Sequence, residues 1–300
     1  MGLKLAREWR FSPPSGFYMS SPPLMACTVF AAAAAAPAAV VNIDFSELAT
    51  AADRYAGLAA ATDPAGATAI WNNIVGSVGA LSVENLMNSA GEATTWDIAV
   101  SGFVNTKKSA SEQEVAQGGS GGVSYSQLME DYLQLDSGAN ASVTIASGVI
   151  GGLAAGNTYD IYFYGQGSDM AGTDASSSGE NSLFTVNASS RQTGWDGLDG
   201  GDGNLVEGME YVQFTAVADA GGKISFTWSN VVQGVNVMSD QVPSNTGTGS
   251  RFAALNGMQI VDVVPEPSTA IFGMAASVLL LLRRRRAASS GHGDRASSDQ

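Results

Sequence analysis

The stretch KISFTWS, Lys223 to Ser229, alternates Ile224, Phe226 and Trp228 with Lys223, Ser225, Thr227 and Ser229. A period of two places the first set on one face of an extended strand and the second set on the other, the pattern of a half-buried β-strand. The same alternation appears in YDIYFYGQG, where Tyr159, Ile161 and Phe163 oppose Asp160, Tyr162 and Tyr164. Further strands are expected in VVNIDF from Val40, IAVSGFV from Ile98, ASVTIA from Ala141, SLFTVN from Ser182, EYVQFTAV from Glu210 and GMQIVDVV from Gly257. Clusters of Gly, Ser, Asn and Asp bound these runs, so the chain is expected to be mainly β, with about eight strands in a single two-sheet β-sandwich. One helix is expected in SYSQLMEDYLQL, with Ser124 and Gln127 as a capping box and Leu128, Met129, Tyr132 and Leu133 as its apolar face. A second helical pattern covers SELATAADRYAGLAAA, from Ser46 to Ala61.

Two absences narrow the chemistry. The only cysteine is Cys27 and the only histidine is His292, so residues 39–262 contain neither. That segment therefore has no Cys nucleophile, no Ser-His-Asp triad, no disulfide and none of the usual zinc ligand sets. Between residues 40 and 264, six Lys and Arg face 24 Asp and Glu, a balance of −18. Such a surface repels phosphate backbones, so a nucleic-acid partner is not expected. No catalytic residue is assigned and no enzyme is expected.

Both ends of the sequence read as addresses rather than as fold. Lys4, Arg7 and Arg10 precede the apolar run LMACTVFAAAAAA, and Ala36-Pro37-Ala38 supplies an A-x-A cleavage pattern. Residues 1–38 are thus a pre-sequence and signal peptide, with Met19 and Met25 as alternative starts, and the Sec translocon and signal peptidase are the partners they imply. At the other end, Pro265-Glu266-Pro267 is followed by an apolar run from Ala270 to Leu282 and then by Arg283, Arg284, Arg285 and Arg286. The run is short for a bilayer span, and the arginines form a cytoplasmic stop signal. The sequence is thus expected to divide into 1–38, an extracellular β-sandwich domain at 39–262, a short transmembrane segment with its kink and arginines at 263–286, and a disordered cytoplasmic tail at 287–300.

The unit VPEPST, apolar helix and arginine cluster closely resembles the PEP-CTERM sorting signal. The resemblance is carried by Pro265, Glu266, Pro267, Ala270 to Leu282 and Arg283 to Arg286; the tail AASSGHGDRASSDQ departs from it, since family members usually end soon after the arginines. It implies exosortase, a membrane transpeptidase, as a partner. It also implies an inner-membrane intermediate followed by the cell surface or exopolysaccharide matrix of a Gram-negative-type bacterium. The order of LMEDYL, GLAAGNTYDIYFYGQG, LFTVN, LVEGMEYVQFTAV, GKISFTW and AALNGMQIV, from Leu128 to Val261, resembles the extracellular sandwich of such proteins, which is similar to galactose-binding-like jelly rolls.

Three binding sets compete with a purely structural role. Asp196, Asp199 and Asp202 crowd one glycine-rich loop, as calcium ligands do, although their spacing fits no EF-hand. Tyr162, Tyr164 and Trp195 could stack on sugar rings, which makes a carbohydrate-binding module of the cell envelope the alternative function. Glu130 and Asp131 are a carboxylate pair of the type glycoside hydrolysis uses, but neighbouring positions on a helix point them apart, so a glycoside-active enzyme is the third reading.

Overall fold

Each alternating run becomes a strand because its apolar half can be shared between two facing sheets. The computed structural model describes residues 39–47, 55–76, 78–108, 125–139, 142–167, 181–194, 204–232, 235–236 and 251–263. Among them, in chain order, are β1 (Val40–Ser46), β2 (Trp71–Val75), β3 (Ala80–Val83), β4 (Asp97–Ser101), β5 (Asn105–Lys108), the short helix α1 (Ser126–Glu130) and β6 (Asp131–Asp136). Then follow β7 (Ile145–Gly151), β8 (Thr158–Tyr164), β9 (Ser182–Val186), β10 (Ser189–Gln192), β11 (Tyr211–Val217), β12 (Ile224–Asn230), β13 (Phe252–Leu255) and β14 (Gly257–Asp262). The described chain is mainly β, as the alternation requires.

The strands form three sheets, ordered β11-β8-β14-β1-β2, β10-β9-β12-β7-β4-β3 and β13-β6-β5. Nearly every pairing is antiparallel, with neighbours such as Tyr162 opposite Gln213; β1 and β2 run parallel, with Asn42 opposite Trp71. The two larger sheets contribute to one apolar core. Val41, Ile43, Phe45, Ile161, Phe163, Val212 and Ile260 enter it from the first, and Ile98, Ile150, Phe184, Phe226 and Trp228 from the second. Phe163 stacks on Phe184 with centroids 4.8 Å apart and lies 4.9 Å from Phe226, so one aromatic cluster joins the sheets. Gly148 makes room for it: a Cβ there would lie 2.1 Å from Phe226 Cζ.

The expected long helix is corrected. Only Ser126–Glu130 is helical, the N-cap is Tyr125 without a side-chain cap bond, and the chain becomes a strand at Asp131. Burial explains the change. Residues 131 to 135 are all enclosed, leaving no solvent face for an amphipathic helix; Leu133 and Leu135, two apart, enter the main core while Leu128 and Met129 join a second apolar cluster. The strand expected from Ala141 lies further on, as β7, and β2, β3, β5, β6, β10 and β13 join those read from the sequence. Residues 55–61 of the second helical pattern are not helical, and residues 48–54 lie outside the described residues. No helix among the described residues is long and apolar enough to cross a membrane. The signal peptide expected at 1–38 and the apolar run from Ala270 to Leu282 lie outside them.

Candidate functional site

Several sequence-predicted residues lie outside the described part of the chain: Pro265, Glu266, Pro267, Arg283 to Arg286, Asp196, Asp199, Asp202 and Trp195. The last described residue before Trp195 and the three aspartates, Gly194, is held on both sides. Its N–H donates to Met209 O at 3.1 Å, and its carbonyl accepts from Gln166 Nε2 at 2.9 Å. At the other terminus, the Val263 N–H donates to Thr158 O at 3.0 Å, so ordered pairing continues to two residues before Pro265.

Tyr162 and Tyr164 share the outer face of β8, yet the fold separates their roles. Tyr164 is fully buried in the second apolar cluster with Tyr55, Trp71, Leu128 and Met129, so no ring face is left for a sugar. Its hydroxyl donates to Gln259 Oε1 at 2.5 Å and accepts from the Ala60 N–H at 2.8 Å; burial holds its pKa well above the usual tyrosine value. Gln259 also accepts from the Ala61 N–H and donates to Asn42 Oδ1 at 2.8 Å, and Asn42 donates to Asp63 Oδ2 at 2.9 Å. This buried relay fastens residues 60–63 over the sheet, a structural use of polar side chains. Tyr162 remains half-buried, 5.9 Å from Tyr211 in a tilted pair. Tyr211 is legible as a partner, because alternation in EYVQFTAV sets it opposite to Val212 and Phe214.

The covered face carries one buried acid, and the α1–β6 segment carries a second. Asp44, on β1, is fully enclosed; its Oδ2 accepts from the Tyr55 N–H at 3.0 Å and from the Ser46 hydroxyl at 3.4 Å, and its Oδ1 meets no hydrogen-bond donor among the described residues. Burial first, then the negative charges of Asp131 and Glu130, raise the Asp44 pKa to about 7, against the opposing hydrogen bonds from Tyr55 and Ser46. Asp131, at the junction of α1 and β6, is also fully enclosed, and its Oδ2 accepts from the Glu47 N–H at 3.4 Å. Two devices bring that junction to β1. Asn256 donates to Met129 O at 2.7 Å and to Asp131 O at 3.2 Å while its own carbonyl accepts from the Phe45 N–H. Gly257, opposite Asp44, lets α1 settle on the sheet: a Cβ there would meet Leu128 Cδ1 at 2.8 Å. Among the described residues, no group of three or more His, Cys, Asp or Glu is placed to hold a metal ion.

The opposite outer face, on the six-stranded sheet, has a different chemistry. Register aligns Ser101, Ser147, Thr227, Thr185 and Ser190 across five neighbouring strands. Ser101 pairs with Ser147 at 3.2 Å and Thr185 with Ser190 at 2.8 Å, the cross-strand hydroxyl contacts that suit a sheet. A shallow groove of about 330 Å³ crosses this row beside Asn187 and Ala188, and its lining side chains are uncharged.

No family model matches the chain, and no curated protein does. Among solved structures it is similar to the enzymatically active domain of tailspike protein 4 of bacteriophage CBA120. That likeness has 9% identity and a TM-score of 0.24, and covers 55% of this chain and 19% of that one. A likeness so distant fixes neither an activity nor a shared architecture.

Proposed function

We propose that this chain is an exported, non-catalytic β-sandwich protein of the cell surface or exopolysaccharide matrix, delivered as a precursor and sorted through its C-terminal Pro-Glu-Pro segment. The observation that carries the reading is the order of residues 263 to 286: Pro265 and Pro267 on either side of Glu266, an apolar run to Leu282, and four successive arginines. The arginines stay cytoplasmic because guanidinium groups are costly to move through hydrocarbon. At about 1.5 Å per residue the apolar helix then brings Glu266 toward the opposite interface, within reach of a membrane transpeptidase.

The end of the fold supports the same reading. β14 finishes at Asp262 and Val263 is still tied to Thr158, so the ordered pairing ends two residues before Pro265. A tether that short would hold the domain against the membrane until it is cut. Antiparallel sheets around a common core also agree with a jelly-roll of the galactose-binding-like type, though one carrying a third, smaller sheet.

The decisive experiment expresses Glu266→Ala and Pro267→Ala in a host with a matching exosortase. Both variants are expected to be exported but to accumulate as uncut precursor in the inner membrane, read by fractionation and mass. Maturation of both at the wild-type rate would leave the segment as a plain anchor and overturn the sorting role.

A further inference from the structure

Where the cover on the five-stranded sheet gives way to the edge of that sheet, two aromatic rings are left half-open. The cover closes over Tyr164, whose hydroxyl is taken by Gln259 and by the Ala60 N–H. The edge strand β11 is less enclosed: Tyr211 and Gln213 are half-buried and Thr215 is exposed. Register sets Tyr211 opposite Tyr164 and Gln213 opposite Tyr162, so all four side chains share the outer face. The Tyr211 ring lies 5.9 Å from that of Tyr164 and 5.9 Å from that of Tyr162, tilted by 46° and 41°. A locked, buried ring thus props Tyr211, which in turn backs Tyr162, and the pair is held in place before any ligand arrives. The hydroxyls of Tyr162 and Tyr211 and the amide of Gln213 have no hydrogen-bond partner among the described residues, whereas Asp160, two positions from Tyr162 on the same face, is engaged by the Thr215 hydroxyl at 2.6 Å. Just before β11 the Gly208 N–H donates to Tyr211 O at 2.8 Å and Glu207 bridges to Tyr211, which sets Glu207 at the rim of the pair, where Arg191 from β10 holds its carboxylate. Burial first, then the negative charges of Glu207 and Glu210, keeps the Tyr211 pKa above the usual tyrosine value, so its hydroxyl remains a donor as well as an acceptor.

We propose that Tyr162, Tyr211 and Gln213 form a platform for a segment of an uncharged polysaccharide, with Glu207 at its rim. Tyrosine rings offer large, rigid contact area at little cost in conformational entropy, and their faces match the C–H faces of a sugar ring. The free phenol hydroxyls and the free amide both donate and accept, as sugar hydroxyls do. An apolar peptide or a second copy of the chain laid here would leave those groups without partners. A polyanion is opposed by the balance of −18 across residues 40–264, while Arg191 offsets the Glu207 charge and leaves that pair polar without net charge. The site differs from the set expected from sequence: Tyr164 takes no part, Trp195 lies outside the described residues, and Tyr211, Gln213 and Glu207 enter through strand register and the turn before β11. It uses nothing from the terminal segment, so its failure and the failure of the sorting reading are separate results.

The test uses the full-length chain in detergent micelles, screened on an array of neutral polysaccharides (galactomannan, dextran, hydroxyethylcellulose, xyloglucan) and anionic ones (alginate, hyaluronan). The neutral glycan retained most strongly is then titrated calorimetrically. At least one neutral glycan is expected to be retained, and the anionic ones are not. Tyr162→Ala and Tyr211→Ala should each weaken binding about tenfold or more, the scale of losing one aromatic anchor. Glu207→Ala should weaken it about two- to tenfold, the scale of one hydrogen bond. Tyr211→Phe, which keeps the ring, should lose less than Tyr211→Ala, and Thr227→Ala on the opposite sheet should bind as wild type. Truncating a packed ring can also loosen the fold, so a second measurement uses the wild-type chain alone: nitration of its tyrosines by tetranitromethane, read by peptide mass. The glycan should slow nitration of Tyr162 and Tyr211 severalfold, while the buried Tyr164 stays unreacted with or without it. The proposal is overturned if no neutral glycan is retained, if the anionic glycans are retained in preference, if both alanine variants at the tyrosines bind as wild type, or if the glycan leaves nitration of both tyrosines unchanged.

Discussion

Tyr162 and Tyr164 stand two positions apart on one face of one strand, and what separates them is the covering layer. The Ala60 N–H and the Gln259 amide close over Tyr164, from positions 104 and 95 residues away, while Tyr162 meets the ring of Tyr211 at moderate distance. Alternation therefore shows that both tyrosines leave the main core, but nothing local shows that one of them enters a second core. Asp44 and Asn42 are illegible for the same reason: on an outer face they read as solvated polar positions, and the segment returning from Tyr55 to Asp63 helps to bury them. The Tyr164 hydroxyl is a measurable part of that cover. Tyr164→Phe keeps the ring and deletes the acceptor of the Ala60 N–H, so it should cost about 1–2 kcal/mol in urea unfolding. A loss under about 0.3 kcal/mol, well below the usual net worth of one hydrogen bond, would show that water replaces it at no cost.

Strands with long, cleanly alternating runs are legible because one face meets the core and the other meets water or a thin cover. β8 and β12 are of this kind, and the sequence pattern locates them to within a residue. β6 is enclosed on both faces, so its run of Tyr132, Leu133 and Leu135 carries no contrast between faces, and the apolar residues before it supply a helical spacing instead. β7 is displaced for another reason: IASGVIGG contains glycines that ordinarily mark turns, whereas Gly148 here serves the ring of its cross-strand partner Phe226. Gly148→Ala should accordingly destabilise the protein by roughly 1–3 kcal/mol, the range for overpacking a filled core. The urea midpoint measures this, and Phe226→Leu in the same chain should recover part of the loss by vacating the space. An unchanged midpoint in the single variant would mean that the aromatic cluster shifts freely, contrary to the close stacking of Phe163 on Phe184.

The five-stranded sheet and the shared core depend on the last described strands. β14 is paired with β8 on one side and β1 on the other, and it brings Met258 and Ile260 into the core. A chain ending at Ser250 loses β13 and β14 together, so it should show no cooperative unfolding transition; a sigmoidal urea curve of wild-type amplitude would contradict that dependence. The β1–β14 pair also sets a clock. Asn42 and Gln259, which bond side chain to side chain across it, are 217 positions apart. Synthesis at about 5–20 residues per second separates their emergence by on the order of ten to forty seconds, and contacts so distant are slow to form even afterwards. Throughout that interval β1 lacks both its antiparallel partner and the glutamine that pins the cover to the sheet. Slow codons between β12 and β13 would prolong this unfinished state, so the timing of closure is written into the order of the strands.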